Sequence, residues 1–263
     1  MLFLPILFNV VSNRVAIDAS TEIKDTLFSA CRSKDEGGAI YCKSSDALLN
    51  LTSCSFVQCY SDSYGGAMAI RSVKELRLDG VIGHSCTIKS SASSHPYGSF
   101  AIMWGNSTLS KLSMIECSAE EASIGIHFYR VPVFIRCNNY TSNCHTSGYG
   151  SHLYFHTAPK IEIFSSVFVN NSCGWLLFEA FDADVRHTLF VDNACSRVSP
   201  GNYLECCFYN TTLPGSMNDC ITDRIQWMTD YESCRFVMSS EKFTREKQSR
   251  IGLIMLLLTH LIL

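Results

Sequence analysis

The chain has 263 residues, of which 47% are hydrophobic and 17% charged, and its formal net charge is −3. This composition excludes a disordered polyampholyte, and 21 basic against 24 acidic residues leave no positive surplus for a nucleic-acid partner. Fourteen cysteines without a paired C-x-x-C spacing favour an oxidising compartment over a zinc site.

The N-terminal segment is apolar. Residues from Met1 to Val11 are almost wholly hydrophobic and precede Arg14, Val15 and Ala16, which predicts a signal peptide over residues 1–19. A buried first strand or helix is the alternative. A signal peptide places the rest of the chain outside the cell, secreted or on the extracellular face of the plasma membrane.

Two repeated markers follow with one period. One is a glycine that opens an apolar segment, and it recurs at Gly38, Gly66, Gly98, Gly125, Gly150 and Gly174. The other is an apolar residue three positions before a small or polar one: Phe28-x-x-Cys31, Phe56-x-x-Cys59, Ile82-x-x-Ser85, Ile115-x-x-Ser118, Tyr140-x-x-Asn143, Phe168-x-x-Asn171 and Phe190-x-x-Asn193. Such a shared period indicates a solenoid.

The repeats are short, rich in β-branched and aromatic residues, and separated by turn residues, which favours strands over helices. Alternate positions after each glycine form apolar columns, as the two-residue period of a strand requires. The sequence therefore predicts an all-β fold over residues 20–195: a right-handed parallel β-helix of about six to seven coils, of the pectin lyase-like type.

The alternation of Gly-Gly-Ala-Ile and Phe-x-x-Asn resembles the repeats of the chlamydial polymorphic outer-membrane proteins and of similar surface families of trichomonad protists. The motifs cover about residues 28 to 195, and only the first two coils carry Gly-Gly-Ala. The resemblance implies a right-handed β-helix and a role in adhesion or host contact. The chain departs from the pattern of these families by being short and by showing no β-barrel autotransporter region.

One cysteine per coil follows the aromatic marker: Cys31, Cys59, Cys86, Cys117, Cys144, Cys173 and Cys195. Stacked coils would bring their Cα atoms within disulfide range, so a disulfide ladder and a column of buried free thiols are both open. Residues 196–240 contain four more cysteines and predict a disulfide-tied cap on the last coil, with a small independent domain as the alternative.

The C-terminal segment, residues 241–263, combines a polar spacer with an apolar tail that begins at Ile251. The thirteen residues of this tail, apolar except for Thr259 and His260, are short for a bilayer span, and small residues before a spacer are typical of a glycolipid-anchor signal. A marginal membrane span and a packed terminal helix are the alternatives. Either form of anchor makes the membrane a partner through this tail.

Several surface features are expected. Outward strand positions rich in apolar side chains predict a contact stripe for a host or extracellular protein or glycan, unless a loop covers it; its residues are Tyr41, Phe128, Leu153, Trp175 and Leu177. Five N-glycosylation sequons fit an exported chain; they begin at Asn50, Asn106, Asn139, Asn170 and Asn210.

Catalysis is the rival class, because β-helices also host polysaccharide lyases and hydrolases. The best constellation is Asp182, Asp184 and His187, in which two carboxylates share a strand face; a solvated acidic face is the plainer interpretation. His127 and His152 fall in one column and could offer imidazoles to a metal, although stacked polar residues explain them better. We expect no cofactor, no metal and no enzymatic activity.

Overall fold

The computed structural model describes residues 9–88, 98–119, 125–145, 151–178, 183–199, 201–204, 206–209 and 211. Within these ranges the chain forms thirty strands, numbered β1 to β30 in chain order, and no helix. All of their pairings are parallel and join successive coils into three sheets, A, B and C. The protein is a parallel β-helix. None of the described residues belongs to a helix long and apolar enough to cross a membrane.

Sheet A has nine strands: β1 (Asn9–Val11), β4 (Thr26–Ser29), β8 (Ser55–Val57), β12 (Ile82–His84), β16 (Ser113–Ile115), β20 (Asn139–Thr141), β24 (Val167–Val169), β27 (Leu189–Val191) and β30 (Cys207–Tyr209). Sheet C has eight: β3 (Thr21–Lys24), β7 (Leu48–Thr52), β11 (Glu75–Asp79), β15 (Asn106–Ser110), β19 (Val133–Arg136), β23 (Ile161–Phe164), β26 (Asp184–Arg186) and β29 (Asn202–Leu204).

Sheet B has thirteen strands, because each coil crosses it twice. The longer crossings are β2 (Val15–Ile17), β6 (Ile40–Lys43), β10 (Met68–Ser72), β14 (Phe100–Ile102), β18 (Ile126–Tyr129), β22 (Ser151–His156) and β25 (Ser172–Phe178). The shorter ones are β5 (Arg32–Ser33), β9 (Tyr60–Ser61), β13 (Thr87–Ile88), β17 (Ser118–Ala119) and β21 (Cys144–His145), with β28 (Ala194–Arg197) beside β25. In β25 the two crossings merge into one strand.

Each coil runs from sheet B through C to A and back to B. The last two corners are single-residue bends in which the backbone is left-handed, such as Ser53 (φ 53°) and Gln58 (φ 53°). Left-handed residues other than glycine are uncommon, yet these corners carry serine, lysine, glutamate and aspartate in other coils. A bend of one residue lets strands of neighbouring sheets follow each other with hardly any loop.

The inward-facing side chains of sheet A form a file that consists mostly of aromatic rings. It runs through Phe28, Phe56, Gly83, Met114, Tyr140, Phe168, Phe190 and Phe208. Neighbouring rings stack, with centroids 4.8 Å apart for Phe28 and Phe56 and 4.4 Å for Phe190 and Phe208. At Gly83 the file lacks a side chain, and a Cβ there would lie 2.9 Å from Sδ of Met114. The thioether therefore fills the gap, as methionine does in irregular cores.

The position after the second bend forms another internal file, which we call the bend file. Its members are Cys31, Cys59, Cys86, Cys117, Asn143, Asn171, Asn193 and Thr211. Asn143 and Asn171 donate through Nδ2 to the carbonyls of Met114 (3.0 Å) and Tyr140 (2.9 Å) in the preceding coil. Cys59 donates from Sγ to the carbonyl of Phe28 at 3.5 Å. Thiols and amides thus bind the same backbone position.

The marker Phe-x-x-Cys or Phe-x-x-Asn is thereby explained as one aromatic-file residue followed by one bend-file residue. Two coils were aligned wrongly from the sequence. Their true pairs are Gly83 with Cys86 and Met114 with Cys117, rather than Ile82 with Ser85 and Ile115 with Ser118. Ile82 and Ile115 are apolar residues on the other face of the strand, so hydrophobicity alone selected the wrong neighbour.

Strands also lie at both ends of the predicted repeat region. The segment predicted as a signal peptide contributes β1, which pairs with β4, and β2, which pairs with β6. Beyond Cys195, β29 and β30 continue sheets C and A. Removal of residues 1–19 on export stays a prediction. Most of the predicted cap and the whole segment 241–263 lie outside the described residues.

Candidate contact surface

Among the residues that the structure describes, most of the aromatic side chains outside the core lie on the outer face of sheet B or beside it. One outward file runs through Tyr41, Ala69, Ala101, His127 and Tyr154. Tyr129 and His156 are paired neighbours in the next outward file. Because side chains alternate along a strand, these residues point away from the interior that their neighbours Ile126 and Phe128 fill.

Six residues on or beside the outer face of sheet B form a cluster, which we call the aromatic patch: Trp104, His127, Tyr129, Arg130, Tyr154 and His156. His127 is fully buried among the other rings, whereas the other five side chains are exposed or half-buried. The imidazole of His127 stacks on Tyr154 with 4.7 Å between ring centroids, and Tyr129 lies 4.9 Å from His156. The Tyr154 hydroxyl and Nδ1 of His156 are 2.9 Å apart and hydrogen-bonded. These contacts fix the positions of the rings relative to one another.

The solvent edge of the aromatic patch is formed by Trp104 and Arg130. Trp104 is 46% exposed and meets Tyr129 edge-on at 5.6 Å. The guanidinium of Arg130 lies over both rings, 5.5 Å from the centroid of Trp104 and 5.1 Å from that of Tyr129. Cation–π contacts of this kind contribute about 0.5–1 kcal/mol at exposed sites. An exposed indole supported by an arginine is a typical anchor of binding surfaces.

Arginine–aromatic pairs recur along the same side of the molecule. Arg71 lies 4.5 Å from the ring of Tyr64, forms a bidentate ion pair with Glu36, and donates to Sδ of Met103 at 2.9 Å. At the two ends of sheet B, Arg14 covers Tyr41 at 4.7 Å and Arg197 covers Trp175 at 5.3 Å. Such pairs therefore occur at both ends of sheet B and beside its middle strands, and sheet C carries one in Arg186 over Phe164 at 5.7 Å.

The contact stripe predicted from the sequence was wrong for three of its five residues. Phe128, Leu153 and Leu177 are fully buried members of the core, whereas Tyr41 and Trp175 are half-buried. The core file of these strands runs through Ile40, Met68, Phe100, Ile126, Leu153 and Leu177. The marker glycine stands two residues before this file at Gly38 but one before it at Gly125 and three before it at Gly174, so an alignment on glycines inverts the strand faces.

The cysteines predicted as one ladder divide into groups. Cys31, Cys59, Cys86 and Cys117 share the bend file and are fully buried. Cys144 lies one residue further along and pairs in register with Ser118 and Ser172, while Cys173 pairs with Cys195. The ladder changes because asparagine replaces cysteine in the bend file after Cys117.

The two histidines predicted to share a column do not. His127 pairs in register with Tyr154 on the outer face. The ring of His152 packs inside, 4.8 Å from Tyr140 and beside Gly125, where a Cβ would lie 3.1 Å from its Cε1. Neither ring nitrogen of His152 has a hydrogen-bond partner, and burial lowers its pKa to about 3. No group of three metal-ligating side chains occurs within the described ranges.

Of the three residues predicted as a possible catalytic constellation, only Asp184 and His187 lie within the described residues. Asp182 lies outside them, and His187 occupies a left-handed bend (φ 50°). Asp184 accepts hydrogen bonds from Nε and Nη2 of Arg186 at 2.9 and 2.7 Å and from Nδ2 of Asn202 at 3.3 Å. Asp184 therefore forms an ion pair with Arg186 on sheet C.

The predicted glycosylation sites differ in exposure. Asn106 and Asn170 are exposed, and Asn50 is half-buried on the outer face of β7. Asn139 is only 5% exposed, and its Oδ1 accepts a hydrogen bond from the hydroxyl of Thr141 at 2.7 Å. The folded coil has no room for a glycan at Asn139, so this sequon is the weakest of the four described. Asn210 lies outside the described residues.

Comparisons with models of protein families, with curated proteins and with solved structures find no match to this chain.

Proposed function

We propose that the protein is a non-enzymatic β-helix protein of the cell surface or the secreted fraction, which binds a host or extracellular protein or glycan through sheet B. The aromatic patch carries this proposal. Tryptophan, tyrosine and arginine dominate the energetics of binding surfaces, and here they are held in place by mutual contacts around the 46% exposed Trp104.

Membership of the polymorphic outer-membrane-protein-like surface families is part of this proposal. The support is the internal role of the repeat: its aromatic residue joins the ring file, and its asparagine or cysteine seals the bend of the preceding coil. A repeat defined by these two positions tolerates free variation of the outer residues.

The first test is Trp104→Ala in the full chain. The exposed indole contributes to binding but little to the core, so we expect binding to intact host cells or to an extracellular glycan array to fall at least tenfold without a change in thermal unfolding. Leu48→Ala is the matched control, because Leu48 is also 46% exposed but lies on sheet C. Equal loss in both variants, or loss in neither, contradicts the proposal.

The alternative is a carbohydrate-active enzyme that cleaves an extracellular polysaccharide. A reducing-sugar assay on candidate polysaccharides separates the two functions. Our proposal predicts no turnover by the wild-type chain. Turnover that the Asp184→Asn substitution abolishes would favour the enzymatic function over binding. Asp184 is tested because it is the one carboxylate of the possible catalytic constellation that the structure describes.

Localisation is tested on intact cells with the full chain and with a chain ending before Ile251. A surface protein anchored by its tail is labelled on intact cells when complete and appears in the medium when truncated. Retention of both forms inside the cell contradicts the extracellular part of the proposal.

A further inference from the structure

We propose that the four cysteines of the bend file form two disulfides between adjacent coils, Cys31–Cys59 and Cys86–Cys117. The inference concerns the covalent framework and does not depend on an adhesive role. It rests on the register of the coils and on the backbone hydrogen bonds that join them at the cysteine positions.

The register places the four residues in consecutive coils at equivalent positions. Their following residues are direct partners, Arg32 with Tyr60 and Thr87 with Ser118. Cα atoms of parallel neighbours lie about 4.8 Å apart, inside the range of about 4.4–6.8 Å that a disulfide accepts. The backbone N–H of Tyr60 donates to the carbonyl of Cys31 at 2.9 Å, and that of Ser118 donates to the carbonyl of Cys86 at 3.2 Å, so the two cysteines of each pair lie on directly hydrogen-bonded neighbouring coils.

The pairing follows from the length of the file. Thiols are oxidised in adjacent pairs, and the file holds an even block of four before Asn143 takes the next position. A Cys59–Cys86 bond would leave Cys31 and Cys117 three coils apart and unable to react with each other. Only the pairing of the first two and of the last two cysteines consumes all four thiols.

The chemistry needs an oxidant of the disulfide class, from a small molecule or a protein. A thiolate attacks the oxidant, and the second cysteine of the pair displaces it. Each new S–S bond thus forms as one oxidant disulfide is reduced to two thiols, with transfer of two electrons and two protons. Because all four cysteines are fully buried, the exchange must occur while the coils assemble and not on the finished helix.

The sequence allows direct mapping of the bonds. Trypsin places Cys31 in peptide 25–32, Cys59 in 44–71, Cys86 in 78–89 and Cys117 in 112–130. The full chain, expressed through a secretory pathway, is denatured and alkylated without reduction, freed of N-glycans, digested and analysed by mass spectrometry. We expect the cross-linked pairs 25–32 with 44–71 and 78–89 with 112–130, both of which disappear on reduction.

Two variants make the assignment specific, because peptide 44–71 also contains Cys54. In Cys54→Ser both cross-links should persist. In Cys59→Ser the first should vanish and Cys31 become alkylated, while the second remains. Four alkylated cysteines in the wild-type chain, or a cross-link between 44–71 and 78–89, would overturn the proposal, and neither result requires a variant to fold.

Discussion

The two halves of the bend file both donate a hydrogen bond to a backbone carbonyl of the preceding coil, but one half uses thiols and the other uses amides. In the N-terminal half, Cys86 donates its thiol to the carbonyl of Phe56 at 3.4 Å. In the C-terminal half, Nδ2 of Asn171 donates to the carbonyl of Tyr140 and to Oδ1 of Asn193, at 2.9 and 2.8 Å. The amide also accepts, since Oδ1 of Asn171 receives the backbone N–H and the side-chain amide of Asn143.

This difference shows that the bend requires a small donor and gains stability from an acceptor. A thiol is a weak donor that packs like a small hydrophobe, so the N-terminal file depends on burial and, as proposed, on covalent bonds. The asparagine file is a continuous hydrogen-bonded chain in which every bond lies in a low-dielectric interior. The halves should therefore respond differently to the loss of one member.

Replacing Asn171 by leucine should give the largest effect. The side chain keeps its size but leaves the carbonyl of Tyr140 and the backbone N–H of Asn143 buried without partners. Each of the two orphaned groups costs about 1–3 kcal/mol, so we expect a loss of about 2–6 kcal/mol. Urea unfolding followed by circular dichroism measures this loss as a shift of the unfolding midpoint.

The matched change in the other half is Cys86→Ala, measured with excess reductant so that no disulfide contributes. It removes one weak donor and little volume, and we expect a loss of about 1 kcal/mol. Equal losses at Asn171 and Cys86 would show that the amide bonds add nothing beyond packing.

A second prediction uses a polar group of the C-terminal half that lacks partners. The ring of His152 is fully buried and stays neutral because its pKa falls to about 3, against 6.5 in an unfolded chain. Below pH 6.5 the unfolded chain binds a proton that the folded chain does not, so stability falls from pH 6.5 towards pH 3. The slope approaches about 1.4 kcal/mol per pH unit for one proton.

His152→Leu should remove this slope, and leucine already occupies the next position of the same file at Leu176. Unfolding midpoints between pH 7 and pH 4 test the change. The control is His84→Asn, which removes an imidazole from the outer face of sheet A, 3.3 Å from Glu116. An unaltered acid slope in His152→Leu would show that other groups cause the acid sensitivity.

The comparison of the halves also shows why the sequence predicted the fold better than the surface. The repeat period is measured by two markers over many coils, so a one-residue error in aligning one coil hardly changes it. The parallel β-helix was therefore correctly predicted. The face of a single strand does not survive such an error, because a shift of one residue exchanges inside and outside. Phe128 and Leu153 were placed outside for this reason, and both are in the core.

The bends escaped prediction for a different reason. Glycine or asparagine would have signalled a left-handed residue, but Lys111, Glu116 and His187 occupy these positions with φ near 50°. The coil imposes this conformation through pairings on both sides of the bend. The aromatic patch was likewise invisible, because Trp104 and Tyr129 come from different coils and meet only once the register is known.

A gain rather than a loss of stability is expected from extending the asparagine file by one coil. In Cys117→Asn, measured with excess reductant, the new Oδ1 can accept the backbone N–H of Cys86, and its Nδ2 can donate to Oδ1 of Asn143. These bonds should raise stability by about 1 kcal/mol, seen as a higher urea midpoint. The same substitution at Cys42, between Ile17 and Ile70 in the core, should instead cost several kcal/mol, because an amide there has no bend to seal. If both variants lose stability equally, an amide is no better tolerated in the bend file than elsewhere in the core. The asparagines of the file would then contribute by packing and not by their hydrogen bonds.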